Sequence, residues 1–273
     1  MNWQEWLQMV EMEHAKTVLE SLGLSSGSHL LEAKLEDAAK RELTYLSFLT
    51  ELLDVEISER NRRSRETRTK LSKLPHRKTL DEFDYEFQPG IDRRQIKELA
   101  TLAFVERCEN VIFLGPPGVG KTHLAVGLGM EALRNGKTVY YVTTSGLIAD
   151  LKKAVMQGRL ERRWRIYLRP DLLIIDEMGY MQLDRQSAEL FFRLVCARYE
   201  TGSIVLTSNK FFSDWGELMS DTVIATAILD RLLHHAHVIN IRGDSYRIRL
   251  RQKTGLGSFT PAVIPALDNP AFP

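Results

Sequence analysis

Residues 115 to 122 read Gly115-Pro116-Pro117-Gly118-Val119-Gly120-Lys121-Thr122, and they match the phosphate-loop pattern G-x-x-x-x-G-K-[ST] in full. A predicted strand, Val111 to Leu114, precedes the loop, and a predicted helix, Lys121 to Arg134, follows it. Glycines let backbone N–H groups approach phosphate oxygens, and the helix N-terminus adds a partial positive charge. We expect the loop to bind ATP, with Lys121 at the β- and γ-phosphates and the Thr122 hydroxyl on Mg²⁺. An ordinary glycine-rich turn is the alternative.

The composition fits a globular protein of one α/β domain plus an accessory segment. The chain has 273 residues and a formal net charge of only +1, so it is not a strongly basic binder as a whole. Cys108 and Cys196 lie far apart without metal-ligand spacing, which indicates free thiols in a reducing compartment. No signal peptide and no apolar run of about 18 residues is evident, so we expect a soluble cytoplasmic protein that does not contact a membrane.

Strand and helix patterns alternate after about residue 80, which predicts a parallel sheet covered on both faces. The predicted strands are Val111–Leu114, Thr138–Thr143, Leu172–Ile175, Ile204–Thr207 and Val238–Ile241. The predicted helices are Asp92–Glu106, Lys121–Arg134, Leu147–Leu168 with an interruption at Gly158, Gln186–Tyr199 and Thr222–His234. From Met9 to Lys73, apolar residues at helical spacing predict two helices that are separated near Gly23. The sequence therefore predicts a small all-α domain over 1–78, an α/β P-loop domain over 79–252 and a disordered tail over 253–273.

A second signature, Leu172-Leu173-Ile174-Ile175-Asp176-Glu177, is an apolar strand that ends in two carboxylates. Asp176 is expected to hold Mg²⁺ through water, and Glu177 to polarise the attacking water as a general base. A solvated strand end is the alternative. The adjacent acidic pair favours water as the nucleophile over a small-molecule phosphotransferase.

Single polar residues give weaker signals. Asn209 ends the fourth strand and can hydrogen-bond the γ-phosphate, although a turn-forming role is favoured for this residue taken alone. Arg231, late in a helix, can reach a phosphate in a neighbouring subunit or simply compensate the helix dipole, and Arg247 is similar. For the run His234-His235-Ala236-His237, packing or a helix-end role is favoured over a metal site.

Two basic stretches suggest nucleic acid, because cations neutralise backbone phosphates. The candidates in the first are Arg60, Arg62, Arg63, Arg65 and Arg68. Those in the second are Lys152, Lys153, Arg159, Arg162, Arg163 and Arg165. Trp164 lies within the second stretch and is a candidate for stacking on bases. Solvated helix faces are the alternative reading of both stretches.

The phosphate loop, the stretch Arg169 to Tyr180 and the run Ile228 to Arg247 resemble the IstB family of helper ATPases of bacterial insertion sequences. The segments Thr79 to Gly90 and Glu98 to Arg107 resemble it too, and the resemblance spans roughly residues 10 to 250. It implies an AAA+ fold related to DnaC-type helicase loaders and to the DnaA-type initiator.

The resemblance also implies function. Family members assemble as ATP-dependent homo-oligomers on double-stranded DNA and hand the target site to a partner transposase. By motif, Asn209 matches the sensor position, Arg231 the trans-acting arginine, and Arg247 the place of a second sensor without a clear lid domain after it. A replicative helicase loader of the DnaC type is the alternative, since the ATPase core is shared, and an ATP-gated scaffold with negligible turnover is a third possibility.

Overall fold

The computed structural model describes residues 3–246, 248 and 249. Arg247 and the tail over 253–273 lie outside these residues. The chain divides into two compact units between Ser72 and Lys73. Leu74 and Leu80 pack against a hydrophobic cluster of the second unit, so this unit starts before the limit predicted at residue 78. The functional division into domains stays a prediction.

The first unit is helical, as predicted. Its helices are α1 (Trp3–Ser21), α2 (Ser25–Lys40) and α3 (Tyr45–Leu71). The break near Gly23 is where the sequence predicts it, but the prediction missed a second break, before α3. There Glu42 has φ 51°, and the Thr44 side chain caps α3 by accepting a hydrogen bond from the Ser47 N–H at 3.2 Å.

The second unit is built on a parallel sheet. Within the described residues its strands are β1 (Asn110–Leu114), β2 (Val139–Thr143), β3 (Leu172–Met178), β4 (Ser203–Ser208) and β5 (Ala236–Asn240). Their order is β2-β3-β4-β1-β5, and every neighbouring pair is parallel. The predicted parallel sheet is confirmed. Because the carboxyl ends of parallel strands share one edge, the loops after β1, β3 and β4 come together there.

Helices connect and cover the strands. They are α4 (Arg93–Ala100), α5 (Ala103–Glu106), α6 (Lys121–Arg134), α7 (Thr144–Met156), α8 (Leu160–Leu168), α9 (Arg185–Arg198), α10 (Trp215–Leu218) and α11 (Thr222–His234). Side-chain caps begin several of them, at Thr143, Asp184 and Asp221. The prediction of one helix over Asp92–Glu106 is wrong, because Leu102 has φ 64° and separates α4 from α5. The short helix α10 was also missed.

The core forms two hydrophobic clusters, one on each face of the sheet, among the described residues. Ile112 and Leu173 belong to one cluster, and their sequence neighbours Phe113 and Leu172 belong to the other. Successive strand residues point to opposite faces, so both faces are buried, as the apolar runs indicate. None of the described helices is long and apolar enough to cross a membrane.

Candidate nucleotide-binding site

The phosphate loop joins β1 to α6. Gly120 precedes α6 with φ 100°, and a β-carbon there would lie 2.5 Å from the Phe83 ring. Both facts require glycine at this position. Lys121 is 7% exposed, and its Nζ donates to the carbonyl oxygens of Gly115 at 2.7 Å and of Pro116 at 2.8 Å. The lysine side chain therefore spans the loop from its last residues to its first.

The two acidic residues lie at a bulge of β3. Its pairing with β4 shifts register between Ile175 and Met178. Glu177 has φ 65°, in the left-handed region that non-glycine residues rarely adopt. Its neighbour Asp176 is buried, whereas Glu177 is exposed. Backbone strain of this kind is concentrated at functional sites.

Hydroxyl groups surround the buried carboxylate of Asp176. Thr122 Oγ1 donates to Asp176 Oδ1 at 3.1 Å, so the phosphate loop and the acidic motif are in direct contact. Thr207 Oγ1 donates to the same oxygen, and Tyr141 OH donates to Asp176 Oδ2 at 2.7 Å. Burial, reinforced by this carboxylate, raises the pKa of the Tyr141 phenol well above its ordinary value.

A cavity of about 560 Å³ opens beside these groups. The phosphate loop, Asp176, Glu177 and Thr207 line it. Residues of the segment between Pro75 and Gln88 also line it, together with His123 and Tyr246. The volume suits a nucleotide-sized ligand.

The segment from Pro75 to Gln88 contains the predicted domain boundary, and its contribution to the cavity was not predicted. The Phe83 ring lies 5.3 Å from the ring of His123 in an edge-on contact, and His123 Nε2 bonds the Thr79 carbonyl oxygen at 2.8 Å. Burial lowers the pKa of His123 despite that hydrogen bond. The alternating Phe83, Tyr85 and Phe87 were the available signal, since aromatic rings next to a phosphate loop can form the apolar wall of a base pocket.

The oxygen atoms available as ligands at the loop fit a magnesium ion. Mg²⁺ prefers oxygen ligands and is held by one or two side chains together with phosphates and water. The Thr122 hydroxyl and the Asp176 carboxylate are such oxygens, and both residues line the cavity.

Asn209 and Arg231 do not line the cavity that the described residues form. The Asn209 N–H donates to the Met178 carbonyl oxygen at 3.3 Å, and its buried Oδ1 has no hydrogen-bond partner within the described part of the chain. Arg231 lies on α11, where its guanidinium donates to the Ala227 carbonyl oxygen and stacks over Phe192. Their proposed roles, like those of the loop and acidic residues, stay predictions.

The first basic stretch lies on the second half of α3. Arg60, Arg63 and Arg65 are exposed, and Arg63 makes a long contact of 3.4 Å with Ser26 Oγ. Arg62 is also exposed, but it is paired with Glu59 at 2.9 Å and with Glu66 at 2.6 Å. Arg68 is half-buried and donates to Ser64 Oγ. The candidates therefore differ in how available their charge is.

The second stretch runs from α7 into α8. Lys153, Arg159, Arg162 and Arg165 are exposed on this part of the unit. Lys152 pairs with Asp184 at 2.7 Å, and Arg163 pairs with Asp150. The expectation that Trp164 stacks on bases is wrong, because its side chain is 6% exposed and is covered by Arg193 at 5.6 Å from the ring centroid.

The histidine run makes contacts at the end of α11. His234 Nδ1 bonds the Tyr199 hydroxyl at 2.6 Å, and His237 Nε2 bonds Glu109 Oε2 at 2.9 Å. His235 lies 3.7 Å from the exposed carboxylate of Glu200, a residue that is distant from the histidine run in the sequence. The Glu109 carboxyl also pairs with Arg107, and these partners hold its pKa at about 2.

Comparison with known proteins identifies the family. Residues 17–254 match the family model described as IstB-like ATP binding protein. The chain belongs to this family. It is 51% identical over 245 residues to a protein of Pseudomonas aeruginosa whose name describes it as an ATP-binding protein of insertion sequence IS21. The match covers 90% of this chain and 92% of that one. It is also 51% identical over 217 residues to the corresponding protein of insertion sequence IS5376 from Geobacillus stearothermophilus, covering 80% and 86% of the two chains.

Solved structures support the fold. The AMPPCP-bound DnaA of Aquifex aeolicus superposes with a TM-score of 0.51 at 21% identity, over 67% of this chain and 56% of that chain. The IstB-like chain thus has the AAA+ P-loop fold that the resemblance implies, with its five parallel strands flanked by helices.

Proposed function

We propose that this IstB-like chain is an ATP-dependent DNA-binding regulator of transposition. It binds ATP with Mg²⁺, assembles with its own copies on double-stranded DNA in the cytoplasm, and delivers the target site to a partner transposase. Membership of the IstB-like family supports the ATP-binding part, and the relatives from insertion sequences support the link to transposition.

One observation carries the proposal for the nucleotide. Thr122 Oγ1 of the phosphate loop and Asp176 Oδ1 of the acidic motif are 3.1 Å apart beside a cavity of about 560 Å³. In this arrangement the loop N–H groups and Lys121 bind the phosphates, while Thr122 and Asp176 hold Mg²⁺. When bound, Mg²⁺ neutralises charge on the β- and γ-phosphate oxygens.

Hydrolysis is assigned to Glu177. Its carboxylate is exposed to the cavity, where it can accept a proton from a water that attacks the γ-phosphate. Asn209 orients that water and the γ-phosphate from the end of β4. Arg231 of a neighbouring copy adds positive charge in the transition state, which makes the reaction depend on assembly.

DNA binding is assigned to those exposed arginines and lysines of the two basic stretches that make no ion pair within the described residues, such as Arg65 and Arg165. Phosphate contacts of this kind give affinity with little sequence preference. We expect DNA to stimulate ATP hydrolysis. Copies of the protein that bind next to each other on DNA complete each ATP site with a neighbour's Arg231.

The test compares two variants with a control. Lys121→Ala removes the cation at the terminal phosphates and should abolish tight ATP binding, whereas the exposed Lys97→Ala on α4 should bind normally. Glu177→Gln keeps the shape but cannot take a proton, so it should bind ATP and DNA yet hydrolyse slowly. Wild-type hydrolysis by Glu177→Gln would remove the general base from the proposal. Co-purification with a replicative helicase in place of the transposase would overturn the role in transposition.

A further inference from the structure

The bulge in β3 interrupts the pairing of Asp176 and Glu177 with β4, although Asp176 still pairs with Thr143 on β2. Side-chain hydroxyls support this segment from both sides. From the β4 side, Thr207 Oγ1 accepts a hydrogen bond from the Glu177 N–H at 3.1 Å. From the side of β2, Thr144 Oγ1 donates to the main-chain oxygen of Asp176 at 3.0 Å. Thr144 and Thr207 are both 1% exposed, so these bonds are shielded from water and hold the bulge in place.

The Asp176 side chain is held by the same two neighbouring strands. Tyr141 on β2 donates to Oδ2 at 2.7 Å, and Thr207 on β4 donates to Oδ1. Oδ1 is also the oxygen that faces Thr122. The carboxylate is 2% exposed, and a buried carboxylate keeps its orientation only while its hydrogen-bond donors remain.

We propose that Tyr141 and Thr207 are positioning residues with separable effects, an inference that rests on the proposed nucleotide site. Among the described residues, Tyr141 hydrogen-bonds the Asp176 carboxylate but not Glu177. It therefore orients the metal-holding carboxylate by its second oxygen, Oδ2, and leaves Oδ1 to face Thr122. Thr207 contacts the Asp176 carboxylate and the Glu177 backbone, so it positions both the metal-holding group and the general base.

The physical reason is that a ligand's own hydrogen-bond partners fix its direction and basicity. Removal of such a partner typically weakens metal affinity by roughly 10–100-fold. Tyr141→Phe keeps the ring and removes only the donor to Oδ2. Thr207→Val keeps the shape and removes both the donor to Oδ1 and the acceptor for the Glu177 N–H, whereas Thr207→Ser retains the hydroxyl.

The first experiment measures nucleotide binding with a fluorescent ATP analogue, in EDTA and across a Mg²⁺ titration. Tyr141→Phe should raise the half-saturating Mg²⁺ concentration by roughly 10-fold or more, with unchanged affinity in EDTA and near-normal hydrolysis at saturating Mg²⁺. The matched control is Tyr167→Phe, which removes a phenol-to-carboxylate bond of the same kind, from Tyr167 to Asp150, outside the cavity. An unshifted Mg²⁺ midpoint, or an equal loss in EDTA, would overturn the role of Tyr141.

The second experiment applies the same measurements to position 207. Thr207→Val should raise the Mg²⁺ midpoint and also lower turnover at saturating Mg²⁺, and Thr207→Ser should restore both. Normal turnover of Thr207→Val at saturating Mg²⁺ would overturn the assignment to Glu177. Failure of the proposed function is a distinct result: the wild-type protein itself would then show no Mg²⁺-dependent nucleotide binding.

Discussion

Gly179 lies so close to Asn209 that a β-carbon at position 179 would overlap Asn209 Oδ1 and come within 2.7 Å of Lys210 Cγ. Gly179 also has φ 99°, which side chains other than glycine rarely adopt. The turn after β3 therefore packs closely against the turn after β4. Any side chain at position 179 displaces Asn209 relative to the acidic motif.

This contact predicts that Gly179→Ala lowers the rate of ATP hydrolysis by more than its loss of folding stability explains. The backbone strain costs about 1–3 kcal/mol of folding free energy, and the displaced Asn209 should lower the hydrolysis rate while leaving ATP affinity close to normal. Gly158→Ala is the matched control, because Gly158 has φ 63° but nothing within 4 Å of an added β-carbon. In denaturant unfolding Gly179→Ala should lose at least as much stability as Gly158→Ala, and only Gly179→Ala should lose turnover. Equal turnover in the two variants contradicts the prediction.

The sequence predicts the strands well because each is a short apolar run next to a recognisable turn. Val111 to Leu114 before the phosphate loop and Leu172 to Ile175 before the acidic pair needed only local information. The break at Leu102 was missed, because a leucine with φ 64° has no signature in composition or periodicity. The break before α3 had a possible signal in Thr44, a residue type that favours helix N-caps.

The sequence likewise predicts only part of the candidate site. The phosphate loop, Asp176 and Glu177 are contiguous motifs, so their spacing was enough. Tyr141 and the wall near Phe83 reach the site only through the tertiary fold, and one sequence does not reveal the order of parallel strands that brings β2 beside β3. The pairing of Arg62 with Glu59 and Glu66 follows helical spacing and could have been read from the sequence.

The half-buried histidines His76 and His123, which line the cavity, predict a folding stability that falls in mild acid. Burial lowers the pKa of His123 and also of His76, next to Lys78. An unfolded histidine binds a proton near pH 6.5, so the unfolded state takes up protons first, and folding stability decreases as the pH falls below about 6.5. The decrease should be smaller in His123→Gln, whose amide can still donate to the Thr79 carbonyl oxygen.

Urea unfolding of the whole chain between pH 7.5 and 5.5, followed at the transition of the second unit, checks this prediction. His14→Gln, at an exposed histidine of the first unit, is the control and should follow the wild-type protein. If His123→Gln loses as much stability on acidification as the wild-type protein, His123 is not the group responsible.

The ion pairs on the basic stretches make a specific prediction for DNA binding. Arg65→Ala on α3 and Arg165→Ala on α8 remove exposed charges, and each should flatten the dependence of log affinity on log salt by roughly 0.9 for a lost phosphate contact. Arg62→Ala and Arg163→Ala are their matched controls, because these arginines already pair with carboxylates. Fluorescence anisotropy with a labelled duplex at several salt concentrations gives the slopes. Unchanged slopes for Arg65→Ala and Arg165→Ala would assign both stretches to solvated helix faces.

Arg231 gives the prediction that depends on assembly. Within its own subunit, the guanidinium donates to the Ala227 carbonyl oxygen and lies over the Phe192 ring. It does not line the cavity that the described residues form. If it acts on ATP, it does so on the ATP of a neighbouring copy. A guanidinium stays charged and can bind two phosphate oxygens at once, so it favours the transition state over the bound ground state. Arg231→Ala should therefore bind ATP normally and lose about 10³–10⁵ in hydrolysis rate.

Mixing two inactive variants tests whether the arginine acts across a subunit boundary. Lys121→Ala cannot use ATP but still carries Arg231, whereas Arg231→Ala holds ATP but lacks the arginine. Each alone should be nearly inactive, and mixed assemblies should regain part of the wild-type rate at interfaces where an intact Arg231 meets a bound ATP. A mixture of Lys121→Ala with the double variant Lys121→Ala/Arg231→Ala is the control and should stay inactive, because no subunit in it binds ATP. With co-assembly verified by two-colour labelling, an absence of recovery means that Arg231 stabilises α11 against Phe192 and takes no part in the neighbour's reaction.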